Sequence, residues 1–487
     1  MPVLVIDVGS SSVRASEVRV DGTMRTLAQI STPPLHLGMG LIEIDAEDLA
    51  RKVVEVAEQA IAISGGSLEA VAIASQRATS ILWDHHNGLP AGNGISWQDL
   101  RTSTQCLLLR TQGIELAPNE SASKFLYLIS QHADKLIRPR LGTIDTFVAY
   151  ILSGGDLFIT DLTNAATTGL MLQDGTGYDT VKIEQLGLKP EWLPEIVPHG
   201  KILGSTKVLT SNLPIVALIG DQQASLVGQG CVLPGRAKLT LGTGAMLDLF
   251  VGPSRPAFPR RGEYGSFPVA VQWDGNKRYW GVEAIGLSAG STIDWMVGSM
   301  GLAPTAADTE SLALAASPTD TTIMVPSLAG QGAPAWDFGA RGAFFRMGRA
   351  TSVKELFRAC FRGIAHMAAD LLDAAESDGG LKADHLCVDG KMATNRAMIE
   401  ELSTACGIDL VVSGVIEATT LGAGLMGLIS LGQLDGIEQI AELHLANHIV
   451  KPTVTRGSVK HNKLRDEWYV ARDQSLGEIP ELSVVSF

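Results

Sequence analysis

Two short stretches of this chain carry residues that could grip a phosphate. A third carries a residue that could take a proton from a hydroxyl. The first stretch is VLVIDVGSSSVR, from Val3 to Arg14. Its apolar, mostly β-branched residues predict a buried strand ending at Asp7, and Gly9 to Ser12 predict a tight turn before the chain runs back as a second strand. A carboxylate on a rigid strand end beside a Gly/Ser turn suits a metal–phosphate group. The glycine admits the backbone, turn N–H groups and hydroxyls donate hydrogen bonds, and the acid orients Mg²⁺ through water. The second stretch, RAKLTLGTGAMLDLF at 236–250, repeats the pattern with Thr243 between Gly242 and Gly244. An ordinary hairpin explains either copy alone. Two copies near the starts of the two halves point to a duplicated domain with a nucleotide clamped between the halves. The third stretch is GDQQASLVGQG, in which Asp221 sits at a strand-to-helix turn. A carboxylate there suits a general base for a hydroxyl, although a helix N-cap explains the position equally well. Gln222 and Gln223 add hydrogen-bonding capacity that fits a polyol, or merely a solvated helix start.

The elements that must position these residues alternate between α and β. Residues 45–63 predict a helix with Asp45 as N-cap, an apolar stripe of Leu49, Val53, Val56 and Ala60, and a stop at Gly65-Gly66. VAIAS at 71–75 reads as a buried strand. PIVALIG reads as a strand ending at Gly220, with a helix from about Gln223. A long helix is predicted from about 353 to 376, opened by the capping box Ser352 and Glu355. VAIASQR and HLCVDGKMATN each follow a helix and end in a glycine-bounded or polar turn, one in each half. The repeat is far longer than a solenoid period, so it is a domain duplication. The expected division is 1–229 and 230–487, with no low-complexity linker and hence two closely packed domains around a cleft.

Composition bounds the function. The chain has 487 residues, 45% hydrophobic and 18% charged, as expected of a globular protein with more than one core. Its formal net charge of −14 argues against nucleic acid or an anionic membrane surface as the main partner. The five cysteines, Cys106, Cys231, Cys360, Cys387 and Cys406, are scattered without metal-type spacing. They read as reduced, buried thiols in a cytoplasmic protein. The chain opens on a strand, so no signal peptide is expected. The longest apolar run, LGAGLMGLISL, is too short to span a bilayer.

A series of motifs in order then resembles the FGGY carbohydrate kinases, and within that family the glycerol kinases. They are DVGSSSVR, SQRATSILWD, ISWQDLRT, SASKFLYLISQ, GDQQASLVGQ, LGTGAM, VPSLAGQGAPAWDFGARGAF, VDGKMATN and EATTLGAGLMG, and the match runs from residue 3 to about 475. The resemblance implies an α/β chain of two actin-like, ribonuclease-H-like domains with ATP and Mg²⁺ between them. It implies phosphate contacts from Ser10, Ser11, Ser12 and Arg14. Further nucleotide contacts are implied from Gly242, Thr243, Gly244, Gly290, Gly390, Lys391 and Asn395. It implies Mg²⁺ held through water by Asp7 and Asp221, and Asp221 as base. Arg77, Trp97 and Gln222 are implied to line the acceptor pocket. Read by themselves, Arg77 is a partly buried structural arginine and Trp97 a core residue.

The departures concern the acceptor. Where glycerol kinases carry Glu after the Arg, this chain has Ala78. Asn119 aligns with their Tyr, and Met246 with their Phe. Lys391 replaces the second glycine of the adenine-side turn, and 201–213 lacks the G-G-x-R segment that binds fructose bisphosphate in some members. The resemblance therefore implies in-line phosphoryl transfer to a primary hydroxyl of a small polyol or sugar, with glycerol as an alternative acceptor. A non-catalytic actin-like regulator and a chaperone-type ATPase are the rival classes. Both Asp7 and Asp221 are retained, against the former, and no peptide-binding domain fits, against the latter. No nucleic acid or membrane partner is expected, and a homodimer is allowed.

Overall fold

The computed structural model describes residues 2–38, 40–132, 136–414, 417–443 and 447–483. The first hairpin is β1 (Val3–Val8) and β2 (Ser12–Val18), followed by β3 (Met24–Ser31). Helix α1 (Ala46–Ser64) then leads to β4 (Ala70–Ser75), which pairs parallel with β1. After an inserted region, β5 (Pro214–Gly220) pairs parallel with β4 and runs into α2 (Asp221–Gly228). The sheet order is therefore β5-β4-β1-β2-β3, extended beyond β5 by the short strand Gly204–Ser205.

The same path recurs in the second half. The hairpin β6 (Ala237–Leu241) and β7 (Ala245–Gly252) is followed by β8 (Arg278–Gly286) and the short helix α3 (Gly290–Asp294). Helix α4 (Val353–Gly379) then leads to β9 (Leu386–Asp389), which pairs parallel with β6. Helix α5 (Arg396–Cys406) leads to β10 (Leu410–Ser413), parallel to β9. The order β8-β7-β6-β9-β10 mirrors the first sheet strand for strand. Both hairpins thus stand at the middle of their sheets, where flanking strands hold them rigid.

Local signals decide the helix ends. Asp45 caps α1 by accepting from the Asp48 amide, and Gly65 closes it in the left-handed conformation. Ser352 and Glu355 form the full capping box of α4, which runs three residues beyond the expected end. Helix α2 starts at Asp221, two residues earlier than expected, with Gly220 as its N-cap residue.

Helix α6 (Ala418–Ser430) lies against α2 and against β1, β4 and β5 of the first sheet. The two helices meet backbone to backbone. A Cβ on Gly228 would lie 2.0 Å from the Ala418 carbonyl oxygen, and one on Gly422 would lie 1.8 Å from that of Ala224. This contact sets the N-termini of α2 and α6 side by side at the ends of β1 and β5. Among the described residues, no helix is long and apolar enough to cross a membrane.

Candidate active site

The first hairpin places Arg14 directly opposite Asp7. Arg14 Nη1 lies 3.7 Å from Asp7 Oδ2 and is also ion-paired with Glu417, the residue before α6. Thr420 Oγ1, on the first turn of α6, donates to Asp7 Oδ2 at 3.1 Å. Burial holds the Asp7 carboxyl up at about 6; Arg14 and Thr420 oppose this shift, and Asp221 and Glu417 add to it. At the hairpin tip, the Gly9 amide donates to the Ser12 carbonyl at 3.0 Å. Ser10 Oγ donates to Gln76 Oε1 and accepts from Trp97 Nε1, each at 3.3 Å. Ser12 Oγ accepts from Gln29 Nε2 at 3.2 Å, and Ser11 is exposed at the tip.

Asp221 opens α2, with its side chain 31% exposed. Its Oδ1 accepts from the Gln222 amide at 2.8 Å, and its carbonyl accepts from Thr419 Oγ1 at 3.3 Å. Arg77 Nε lies 3.7 Å from Asp221 Oδ1, and the arginine stem packs over Gly220, where a Cβ would come within 2.9 Å of Arg77 Cδ. Glycine at 220 is what lets Arg77 lie beside the aspartate. Burial pushes the Asp221 carboxyl above its ordinary value, with Arg77 pulling it back.

Arg77 is held from the other sheet. Its Nη2 donates to Glu283 Oε2 at 2.7 Å. Glu283 stands opposite Asp248, and Asp248 opposite Lys238, across three neighbouring strands. Lys238 Nζ lies 2.9 Å from Asp248 Oδ2 and donates to Gln222 Oε1 at 2.9 Å. Burial works against the charge of Lys238, but Asp248, Asp389 and Glu283 outweigh it and hold its ammonium above the ordinary value. One ladder on β6, β7 and β8 thus fixes two residues of the first half, Arg77 at one end and Gln222 at the other. With one lone pair of its oxygen taken by Lys238, the Gln222 amide keeps its NH₂ and a second lone pair to offer an acceptor molecule. The ladder with Asp221 carries two cations against three carboxylates.

The other expected acceptor residues surround this group differently. Trp97, read as core from sequence alone, is half-buried and ties the acceptor segment to the hairpin through Ser10. Its backbone amide donates to Thr79 Oγ1 at 3.1 Å. Ala78 is buried at φ 62°, and its carbonyl accepts from Ser80 Oγ at 3.1 Å and Ser121 Oγ at 3.2 Å. Asn119 is exposed two residues before Ser121, and Met246 is half-buried on the same face of β7 as Asp248.

On the expected nucleotide side, the Gly242 amide donates to the Gly244 carbonyl at 3.0 Å, and the exposed Thr243 carbonyl accepts from the Ala289 and Ser291 amides. Gly290 packs on this tip, since its Cβ would lie 2.6 Å from the Gly242 carbonyl oxygen. Gly390 turns at φ 91°, where a Cβ would strike Leu241, and Lys391 is exposed after it. Asn395 is the N-cap of α5, its Oδ1 accepting from the Met398 amide at 3.0 Å. Sequence reasoning did not single out Lys238, Asp248, Glu283, Glu417 or Thr420. Two of these lie in the quoted EATTLGAGLMG stretch, and only the pairing of strands reveals the other three.

Two mirrored sheets, each built around a phosphate-type hairpin, define the actin-like, ribonuclease-H-like fold. A glycerol kinase of Plasmodium falciparum solved with ADP shares it with a TM-score of 0.88 at 23% identity, over 100% of this chain and 99% of that one. A ligand-bound xylulose kinase from Lactobacillus acidophilus shares it with a TM-score of 0.83 at 19% identity, over 97% and 98%. In sequence, the N-terminal domain of the FGGY family of carbohydrate kinases matches residues 2–228 and its C-terminal domain residues 237–431. A glycerol kinase of Trichlorobacter lovleyi is 31% identical over 495 residues, covering 98% of this chain and 99% of that relative. The chain belongs to the FGGY family of carbohydrate kinases, phosphotransferases with an alcohol group as acceptor.

Proposed function

We propose that this kinase transfers the γ-phosphoryl group of ATP to a primary hydroxyl of a small neutral polyol or sugar, with Asp221 as general base. The observation that carries this reading is the setting of Asp221. It lies at a helix start facing the cleft, partly exposed, flanked by Arg77, with its carboxyl raised by burial. A raised carboxyl is a stronger base. Asp221 accepts the hydroxyl proton as the oxygen attacks in line. Arg77 and the Gln222 NH₂ orient the acceptor's other oxygens, and the two hairpin tips cradle the phosphates. Closure of the cleft excludes water, which would otherwise compete as acceptor.

Magnesium fits the residues present. Asp7 and Glu417 share the single cation Arg14, and Asp221 adds its charge at Asp7, leaving negative charge that a divalent cation would balance. No cluster of three or more metal-ligating side chains exists among the described residues, so Asp7 and Asp221 would hold the ion through water. When bound, it would supply charge neutralisation at the phosphates.

The acceptor is neutral, because the ladder and Asp221 together already carry excess negative charge. It is larger than glycerol, because Ala78 offers no side-chain hydrogen bond, and Asn119 and Met246 stand where the family's glycerol kinases carry rings. The second reading is glycerol itself, favoured by the glycerol kinase relative at 31% identity. Measurement of kcat/KM for glycerol, erythritol, xylitol, ribitol and the ketopentoses tests the choice. A four- or five-carbon compound is expected to lead; glycerol in first place would establish the second reading. Absence of phosphoryl transfer to any of them would contradict both.

A further inference from the structure

The segment joining α2 to β6 carries Cys231, and β9 carries Cys387. Both thiols converge on one backbone oxygen. Cys231 Sγ lies 3.9 Å and Cys387 Sγ 4.0 Å from the Gln229 carbonyl. Cys231 Sγ also donates to the Ala237 carbonyl at 3.4 Å. Both sit in one apolar cluster, Cys231 fully buried and Cys387 4% exposed. Cys387 lines a cavity of about 310 Å³ together with Gln229, Arg236 and His385. Arg236 Nη1 lies 3.3 Å from His385 Nε2, so donors and positive charge gather at the Cys387 side of the pair. The Gln229 side chain also borders this cavity, nine-tenths buried, with neither amide atom hydrogen-bonded within the protein. The cavity therefore has a polar wall that a small polar molecule can use.

The remaining cysteines offer no such setting. Cys360 and Cys406 are packed within the second core, where burial pushes their thiols up, to about 12 for Cys406. Cys106 is likewise raised by burial. Cys387 moves the other way. The neighbouring Cys231 thiol holds it below its ordinary value, with His385 and Arg236 adding to the effect against burial. The thiolate is the reactive form of cysteine, so Cys387 is the chain's outlier.

We propose that Cys387 and Cys231 are a modification site for peroxide, Cys387 as the attacking thiolate and Cys231 as the resolving thiol. The Cys387 sulfur attacks one oxygen of hydrogen peroxide and the O–O bond breaks. The leaving hydroxide takes up a proton to become water. Cys387 is left as a sulfenic acid, oxidised by two electrons as the peroxide is reduced. The Cys231 sulfur then attacks the Cys387 sulfur. The S–S bond forms, and the hydroxyl leaves with the Cys231 proton as a second water. The disulfide would tie the joining segment to β9, whose far end carries the Asp389–Lys391 turn. This inference is independent of the acceptor and of the kinase reaction.

The test uses the full-length reduced protein, treated with hydrogen peroxide, alkylated and mapped by mass spectrometry without reduction. The expected result is a Cys231–Cys387 linked peptide with loss of two hydrogens, restored by dithiothreitol. Cys231→Ser should trap a sulfenic acid at Cys387 that dimedone labels. Cys387→Ser should leave Cys231 reduced at the peroxide dose that closes the wild-type pair. The proposal is overturned if both thiols stay reduced while Cys106, Cys360 or Cys406 oxidises. It is equally overturned if dimedone fails to label Cys387 in the folded Cys231→Ser protein.

Discussion

Glu283→Gln removes the charge that holds Arg77 while keeping the size of the side chain. In the wild type, Arg77 is 2.7 Å from Glu283 and 3.7 Å from Asp221, so the nearer carboxylate has the greater claim. Without it, the guanidinium should close on Asp221 to about 2.8 Å, the usual distance of a charge-assisted hydrogen bond. At an effective dielectric constant of about 20, the attraction grows from roughly 4.5 to roughly 5.9 kcal/mol, or about one pKa unit at Asp221. The sign follows directly. The Asp221 carboxyl is raised by burial in the wild type, and a closer Arg77 lowers it. The base must be ionised to work, so activity is lost as pH falls through its pKa. The acid limb of kcat/KM for the best acceptor should therefore move to lower pH by about one unit in the variant. The plateau should fall by roughly 3–10-fold, since the base is weaker. A coupled ADP-release assay across the acid limb reads both. Breaking a buried pair costs about 3–5 kcal/mol, so rates are to be taken per folded molecule, with the melting curve recorded alongside. An acid limb that stays in place or moves to higher pH would refute the claim that Glu283 and Asp221 compete for Arg77.

Asp7 gives a linked stability and activity prediction. Its folded value of about 6 exceeds the ordinary 3.8, so this contribution to stability is present below 3.8 and lost as pH rises through about 6. The difference is worth about 3 kcal/mol. Asp7→Asn should thus melt near the wild type at about pH 4 and several degrees higher at about pH 8, while losing activity. A lower melting temperature at the higher pH would contradict this. Lys391 is exposed after the Gly390 turn, so Lys391→Gly should leave ATP affinity unchanged or tighter by calorimetry; markedly weaker binding would make Lys391 a ligand. The double variant Ala78→Glu, Asn119→Tyr should raise kcat/KM for glycerol relative to larger polyols by about 10–150-fold, the worth of one hydrogen bond to a charged group. No gain would remove Ala78 from the specificity argument.

What could be read from sequence was local. The hairpins carry their turn residues beside their strands, α1 announces both ends through Asp45 and Gly65, and α4 announces its start through Ser352 and Glu355. The duplication was legible because both halves repeat one order of strand, hairpin and helix. The charged ladder was not legible. Lys238 and Asp248 are each a single charge in an apolar strand, Glu283 shares its strand with Arg278, and only strand register lines the three up. Thr420 reaches Asp7 across 413 residues of sequence, a contact made by the crossing of α2 and α6 at glycine. Asn395 also caps α5, a role its place in the motif did not show. The cysteines were read as inert buried thiols. All five are buried, but nothing in their spacing shows that Cys231 and Cys387 share a carbonyl.

The central claim is that Asp221 takes the acceptor's proton, and Asp221→Ala measures it directly. Steady-state ADP release with saturating ATP and the best acceptor, compared with ATP binding by calorimetry, separates chemistry from nucleotide affinity. Loss of the base should lower kcat by roughly 10²–10⁴-fold. ATP binding and melting temperature should change little, because Gly220 and not Asp221 is the cap residue of α2. A variant that melts earlier by the equivalent of about 0.5–2 kcal/mol yet turns over at the wild-type rate would show that Asp221 only stabilises the helix start, and would contradict the account.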